Sequence, residues 1–243
     1  FESDASYSIT VIATANGKTD TQVVAVAVTD VDEAPVIDSG SSATVVENSD
    51  VSAVIYTASA VDPEGNTVRY TLSGDDADKF NLDADSGELT LIAAADAETQ
   101  ASYNVTITAS STGSSGSALS SSQALSIAVT NVDEAPVISS GGSASVAENA
   151  ATDTLVYTAV AVDPEEDAVV YSLGSGGDNA LFIIDPSSGE VTLNSSADFE
   201  SDASYSITVI ATANGKTDSQ VVVVAVTDVN EAPTGVALTS AVA

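Results

Sequence analysis

The chain has no cysteine, histidine, tryptophan or methionine. Without cysteine there is no disulfide to staple a fold and no thiolate for zinc or for a nucleophile. Without histidine the commonest general base and transition-metal ligand is missing. Only 4 of the 243 residues are Lys or Arg, against 36 Asp or Glu, for a formal charge of −32. Nucleic acid requires a basic footprint, and anionic membranes attract the same charge, so neither is an expected partner. Lys18, Arg69, Lys79 and Lys216 form no patch by sequence. No apolar run approaches the roughly 18 residues of a membrane helix, the longest being the valines at 221–226, so membrane insertion is not expected. Aromatics make up 5%, which argues against stacking platforms for sugars.

What remains is apolar, acidic and repetitive. The apolar fraction is 44% and falls in regular alternation, which argues against disorder despite the charge. Asp-Val-Asp-Glu-Ala-Pro at 30–35 returns as Asn-Val-Asp-Glu-Ala-Pro at 131–136 and as Asp-Val-Asn-Glu-Ala-Pro at 228–233. Each copy closes a β-branched run with clustered oxygen donors and a proline, which has no N–H for a sheet. Residues 1–35 nearly repeat 199–233. The expected organisation is the C-terminal part of a repeat at 1–35, whole repeats at 36–136 and 137–233, and the start of another at 234–243.

Within each whole repeat the apolar pattern has period two. Tyr103, Val105 and Ile107 alternate with polar residues, as do Tyr205, Ile207 and Val209, and Tyr7, Ile9 and Val11 in the partial repeat. Tyr7, Tyr103 and Tyr205 are therefore read as core or sheet-face residues. Asn16-Gly17 and Asn214-Gly215 are hairpin signals. The middle repeat replaces that turn with SSTGSSGSALSSS at 110–122. About seven short strands per roughly 100 residues predict an all-β chain of tandem seven-stranded Greek-key sandwiches, immunoglobulin-like and arranged end to end. Asp83, Asp85 and Asp185, beside Ser-Gly, are read as turn residues. Asn104-Val-Thr and Asn194-Ser-Ser match the glycosylation pattern but fall in strand context and are read as chance matches.

Four acidic motifs recur: Glu-Asn at Glu47 and Glu148, Asp-Pro-Glu at Asp62/Glu64 and Asp163/Glu165, Asp-x-Glu at Asp96/Glu98 and Asp198/Glu200, and the linker. With A-V-D-P-E, F-x-(I/L)-D-x-x-S-G-E-(L/V)-T-L and Y-x-(I/V)-T-(V/I)-x-A in fixed order, the chain resembles the cadherin repeat, in the form found in large bacterial surface proteins. The resemblance implies Ca²⁺ at each junction, with ligands from both neighbouring repeats. For the full junction it implies Glu47, Asp96, Glu98, Asn131, Asp133, Glu134, Asp163 and Glu165. The first junction would use Glu2, Asp30, Asp32, Glu33, Asp62 and Glu64. The last would use Glu148, Asp198, Glu200, Asp228, Asn230 and Glu231.

Three departures from that pattern stand out. Asp-Pro-Glu replaces Asp-x-Asp, and the linker is one residue short. The aspartate expected after the Y-x-I-x-V-x-A strand is replaced by Ala13, Ser111 and Ala213, which implies a weaker or absent third ion. Restoring it by Ala213→Asp is expected to strengthen the last junction where a further repeat follows. The implied role is that of calcium-stiffened spacer, adhesin or filament repeats on a cell surface. The alternative is direct binding of a surface glycan or a like chain. An enzyme is not expected, since no His, Cys or nucleotide-binding loop accompanies the carboxylates.

Overall fold

In a computed structural model, residues 3–113 and 116–232 are described. The chain divides into two compact units, one ending at Val132 and the other beginning at Asp133. Each is built of strands that pair mainly antiparallel, with one parallel pair, and among the described residues the helical segments are two short 3-10 turns, Ala77–Lys79 and Gly177–Leu181.

The first unit starts with a hairpin of β1 (Ser6–Ala15) and β2 (Lys18–Ala27). Asn16 and Gly17 both take positive φ, 52° and 74°, as its two-residue turn requires. A sandwich follows from β3 (Val36–Ile37), β4 (Ser42–Val46), β5 (Tyr56–Thr57), β6 (Ala60–Val61), β7 (Arg69–Ser73), β8 (Phe80–Leu82), β9 (Glu88–Leu91), β10 (Ser102–Thr112) and β11 (Ala118–Thr130). One sheet has the order β4-β11-β10-β7, and the facing layer is β5-β9-β8 with β3-β6. Counting β3/β4 and β5/β6 each as one interrupted strand gives seven. β4 runs parallel to β11, while the other pairs of this sandwich are antiparallel.

The second unit repeats this plan. Its strands are β12 (Val137–Ile138), β13 (Ser143–Ala147), β14 (Leu155–Thr158), β15 (Ala161–Val162), β16 (Val170–Leu173), β17 (Phe182–Ile184), β18 (Glu190–Leu193), β19 (Ser204–Ala213) and β20 (Lys216–Thr227). Its sheets are β13-β20-β19-β16, β14-β18-β17 and β12-β15.

Alternation places the cores. On β10, Tyr103, Val105 and Ile107 are buried, and on β19 so are Tyr205, Ile207 and Val209. The intervening polar residues stay outside, as a pleat demands. Phe80 meets Tyr103 edge-on at 5.2 Å between centroids, and Phe182 meets Tyr205 at 5.8 Å. In the β1–β2 hairpin the same positions differ. Tyr7, Ile9 and Val11 are about half exposed, because among the described residues β1 pairs with β2 alone and no facing sheet covers it.

The Ser-Gly turns fix the gaps in β5/β6 and β14/β15. Gly87 and Gly189 take φ of 74° and 72°, and their carbonyls accept the N–H groups of Ala58 and Ala159. Asp83 Oδ1 accepts the N–H groups of Asp85 and Ser86, and Asp185 Oδ1 those of Ser187 and Ser188. These backbone hydrogen bonds hold both carboxyl groups below the ordinary aspartate range. Asp83 and Asp185 are Asx-turn residues, as the sequence implies.

Candidate metal centre

The acidic motifs fall at the ends of the sandwiches, where strands stop and backbone N–H groups lack ladder partners. Glu47 is 2% exposed and Glu148 is 3% exposed, unusual burial for a carboxylate. Each follows a strand that runs parallel to its partner, and each reaches across the sandwich end. Glu47 accepts the N–H groups of Ala97 and Val132. Glu148 accepts those of Phe199, at 2.9 Å, and Val229, at 2.6 Å. The first motif thus gathers the Asp-x-Glu loop and the linker around one carboxylate.

In the second unit this gathering is tight. Single carboxylate oxygens of Glu148, Asp198 and Glu200 all lie within 4.8 Å of one another. Asp198 is held low in pKa by the Ser201 hydroxyl and N–H. Glu148 is held low by the N–H groups of Val229 and Phe199. Glu200 receives a lowering contribution from its own N–H, but burial and the charges of Glu148 and Glu231 outweigh it and push it up. Glu231 accepts Asn149 Nδ2 at 2.6 Å. An open hollow lined by Asn149, Ser196, Asp198, Glu200 and Glu231 lies there. Asp228 lies beside Glu148, while Asn230 is an exposed linker residue. The matching end of the first unit contains Asp96, which caps its loop through Thr99, and Glu98, which accepts Asn131 Nδ2 at 2.9 Å.

At the other end of each sandwich stands the Asp-Pro-Glu turn. Asp62 is 4% exposed, and its Oδ1 accepts the N–H groups of Glu64 and Asn66 and the Asn66 amide. The Ser111 hydroxyl beside it is the largest influence holding its pKa low, against the opposing effect of burial. Glu64 is pushed up by the Glu33 carboxyl beside it and by burial. Asp32 packs against Gly113, where an added Cβ would collide with its carboxylate. Asp30 is an exposed linker residue. Glu2 lies outside the described residues. In the second unit Asp163 is 2% exposed; Oδ1 accepts the Asp167 N–H, and Oδ2 is buried without a hydrogen bond. Glu134 donates its N–H to Glu165 at 3.2 Å. Asp133 accepts Asn214 Nδ2 on Oδ1 and lies 4.0 Å from the Lys216 ammonium.

These groups fit a hard cation. The donors are all oxygens, and calcium takes about six to eight of them in irregular geometry. A buried carboxylate oxygen without a partner, as at Asp163, is costly unless a cation or proton meets it.

Two expectations about the missing aspartate need correction. Strand register aligns Tyr7, Tyr103 and Tyr205, which places Ala15, not Ala13, beside Ser111 and Ala213. Ala213 also lies at the Asp133 end of its sandwich, since its neighbour Asn214 bonds Asp133 and Asp167. An aspartate there would stand at the Asp133 end of the sandwich, not at the Glu148 end.

Sequence reasoning missed Ser111, Asn66, Asn149, Asn214 and Lys216 as partners of the acidic groups. Lys216 was legible in principle, since Asn-Gly-Lys occurs at 16–18 and 214–216 but not in 110–122.

A cadherin domain model matches residues 41–130 and 142–229. The protocadherin-like wing polarity protein stan of Drosophila melanogaster is 30% identical over 254 aligned residues, covering 96% of this chain and 7% of that protein. Human protocadherin-16 is 34% identical, covering 92% of this chain and 7% of its own length. The chain therefore spans a small fraction of these relatives. Among solved structures, mouse cadherin-23 EC22-24 superposes with a TM-score of 0.59 at 27% identity, covering 94% of this chain and 76% of that one. Protocadherin gamma C5 EC1-3 gives a TM-score of 0.64 at 28% identity, covering 91% and 78%.

Proposed function

The chain belongs to the cadherin domain family, and on that premise we propose that it is a run of calcium-stiffened spacer repeats in a long surface protein. Cadherin repeats are extracellular, non-enzymatic modules of adhesion proteins, and they bind Ca²⁺. The observation that carries the proposal is the convergence of Glu148, Asp198 and Glu200 within 4.8 Å. Like charges about 4 Å apart repel by about 1–4 kcal/mol per pair at effective dielectrics of 80 to 20, and a divalent cation reverses the sign.

The ligands proposed for the full junction are Glu47, Asp96, Glu98, Asn131, Asp133, Glu134, Asp163 and Glu165. Those proposed for the first are Asp30, Asp32, Glu33, Asp62 and Glu64, together with Glu2. Those proposed for the last are Glu148, Asp198, Glu200, Asp228, Asn230 and Glu231. The first set and the full set each draw on two consecutive repeats, so an ion bound there favours one relative orientation and stabilises the state in which the site is formed. The near identity of 1–35 and 199–233 supports an array grown by duplication, as in long bacterial surface proteins. The apolar clusters of the two sandwiches contain no acidic residue, and the buried ligands Glu47, Asp62, Glu148 and Asp163 stand at the sandwich ends, so calcium removal loosens the junctions before it unfolds the repeats.

Small-angle scattering of the 243-residue chain, with calcium and then with a chelator, tests this. The expected result is a change in maximum dimension and a broader distance distribution after chelation. Identical curves would overturn the stiffening mechanism. Glu98→Ala is expected to weaken calcium binding by about tenfold, read by calorimetry, as the loss of one charged oxygen ligand.

A further inference from the structure

The hairpin turn between β19 and β20 carries a lysine onto a proposed calcium ligand. Lys216 pairs with Ala213 in the ladder, so its Cα is fixed at the sandwich end that bears the Asp-Pro-Glu turn. Its ammonium donates to the backbone carbonyl of Asp133 and lies 4.0 Å from Asp133 Oδ2. Asn214, at φ 46°, donates its amide to Asp133 Oδ1 and to Asp167. Both carboxylate oxygens and the carbonyl of Asp133 therefore face donors of this one hairpin. All three are oxygens of the carboxylate and carbonyl kind that calcium takes as ligands.

The preceding repeat handles the same place differently. Asp32 is the counterpart of Asp133, and beside it stand Gly113 and a loop, 110–122, without a basic residue. Where the carboxylate of Asp32 packs against Gly113, that of Asp133 meets a positive charge.

We propose that Lys216 is a built-in cation that takes the Asp133 side of the junction in place of one Ca²⁺. The inference rests on the calcium reading above and concerns which ions the junction holds. A lysine charge at this distance repels an incoming divalent ion and competes for its oxygens. The junction preceding residues 137–233 then binds an ion at Asp133 weakly, and its stiffness depends less on calcium.

The test is calorimetric titration of the 243-residue chain with CaCl₂ at low ionic strength. Lys216→Gln is expected to add one measurable ion, or to tighten the weakest site by about threefold to tenfold, the scale of one partly exposed charge. Lys216→Arg keeps the charge and is expected to match the parent. Lys18→Gln, the same turn position in the β1–β2 hairpin, controls for loss of a positive charge elsewhere. Unchanged stoichiometry and affinity in Lys216→Gln, or an equal gain in Lys18→Gln, would overturn the proposal while leaving calcium binding intact. A parent chain that binds no calcium would overturn both readings.

Discussion

The carboxylate of Glu148 accepts the backbone N–H of Val229 across 81 residues of sequence, at 2.6 Å. It does so while 3% exposed and while also holding Phe199 N–H. One side chain thus fixes where the linker leaves the sandwich, before any ion is considered.

Removing it should therefore act on stability as well as on calcium. Glu148→Ala leaves two N–H groups without their acceptor near a buried strand end. The expected cost is about 2–4 kcal/mol in the unfolding of residues 133–232, measured by urea denaturation in chelator. The same substitution is expected to abolish the tightest calcium binding of the last site. Loss of calcium binding with unchanged stability would mean that the carboxylate serves ions alone.

Two turns of the second unit hold left-handed residues with opposite consequences. Gly189 has φ 72°, and a Cβ there would stand 2.5 Å from the Ala159 carbonyl oxygen. Gly189→Ala is expected to destabilise the unit by about 3 kcal/mol, since both strain and collision apply. Glu166 has φ 62°, where the equivalent turn in the first repeat has Gly65 at φ 76°. Glu166→Gly is expected to stabilise the unit by about 1 kcal/mol, read as a higher melting temperature.

This contrast shows what sequence could and could not supply. Period two on Tyr103-Val105-Ile107 identifies a strand and its buried face, because backbone geometry forces that alternation. The Ser-Gly and Asn-Gly pairs identify turns, because few residues tolerate positive φ. The acidic motifs identify which side chains belong to sandwich ends. The role of Glu47 and Glu148 as backbone clamps was not legible, since both N–H partners come from distant loops. Nor was the end at which Ala213 lies, which depends on the register of β19 against β20. Tyr7 is the reverse case. Its pattern matches the core strands, but burial requires a facing sheet that the pattern on β1 cannot supply.

Acid should weaken the first sandwich through Asp76. Its carboxylate accepts the Asn104 N–H at 2.7 Å and the Gln100 amide at 2.8 Å, and these hold its pKa below the ordinary 3.8. A depressed folded-state pKa contributes stability that is fully present above the unfolded value and lost as pH falls through the folded one. Stability of this unit in chelator should therefore drop below about pH 4, and Asp76→Asn should flatten that part of the profile. A parent and variant with parallel pH profiles would show that Asp76 is not linked to folding.

The last prediction uses the difference between Ser111 and Ala213. Register places them at the same point of β10 and β19, eight residues beyond Tyr103 and Tyr205. Both are buried, at 5% and 2% exposed. In the first repeat the Ser111 hydroxyl supports Asp62, the aspartate of Asp-Pro-Glu. In the second, Ala213 has no hydroxyl to offer Asp163; Oδ2 of Asp62 and Oδ2 of Asp163 are both buried without a hydrogen bond, so the hydroxyl is the difference between the two turns. Asn214, the next residue, already contacts Asp167, whose N–H bonds Asp163, so position 213 adjoins the turn that needs a donor. Ala213→Ser is expected to stabilise the second unit by about 1 kcal/mol in chelator, the worth of one hydrogen bond to a charged acceptor in a partly exposed setting. Ala213→Asp adds a like charge at the same buried point, so it is expected to destabilise by about 3 kcal/mol in chelator and to recover with calcium. Denaturation of both variants, with and without calcium, separates the two effects. If serine and aspartate shift stability alike in chelator, Asp163 is not the group that position 213 addresses.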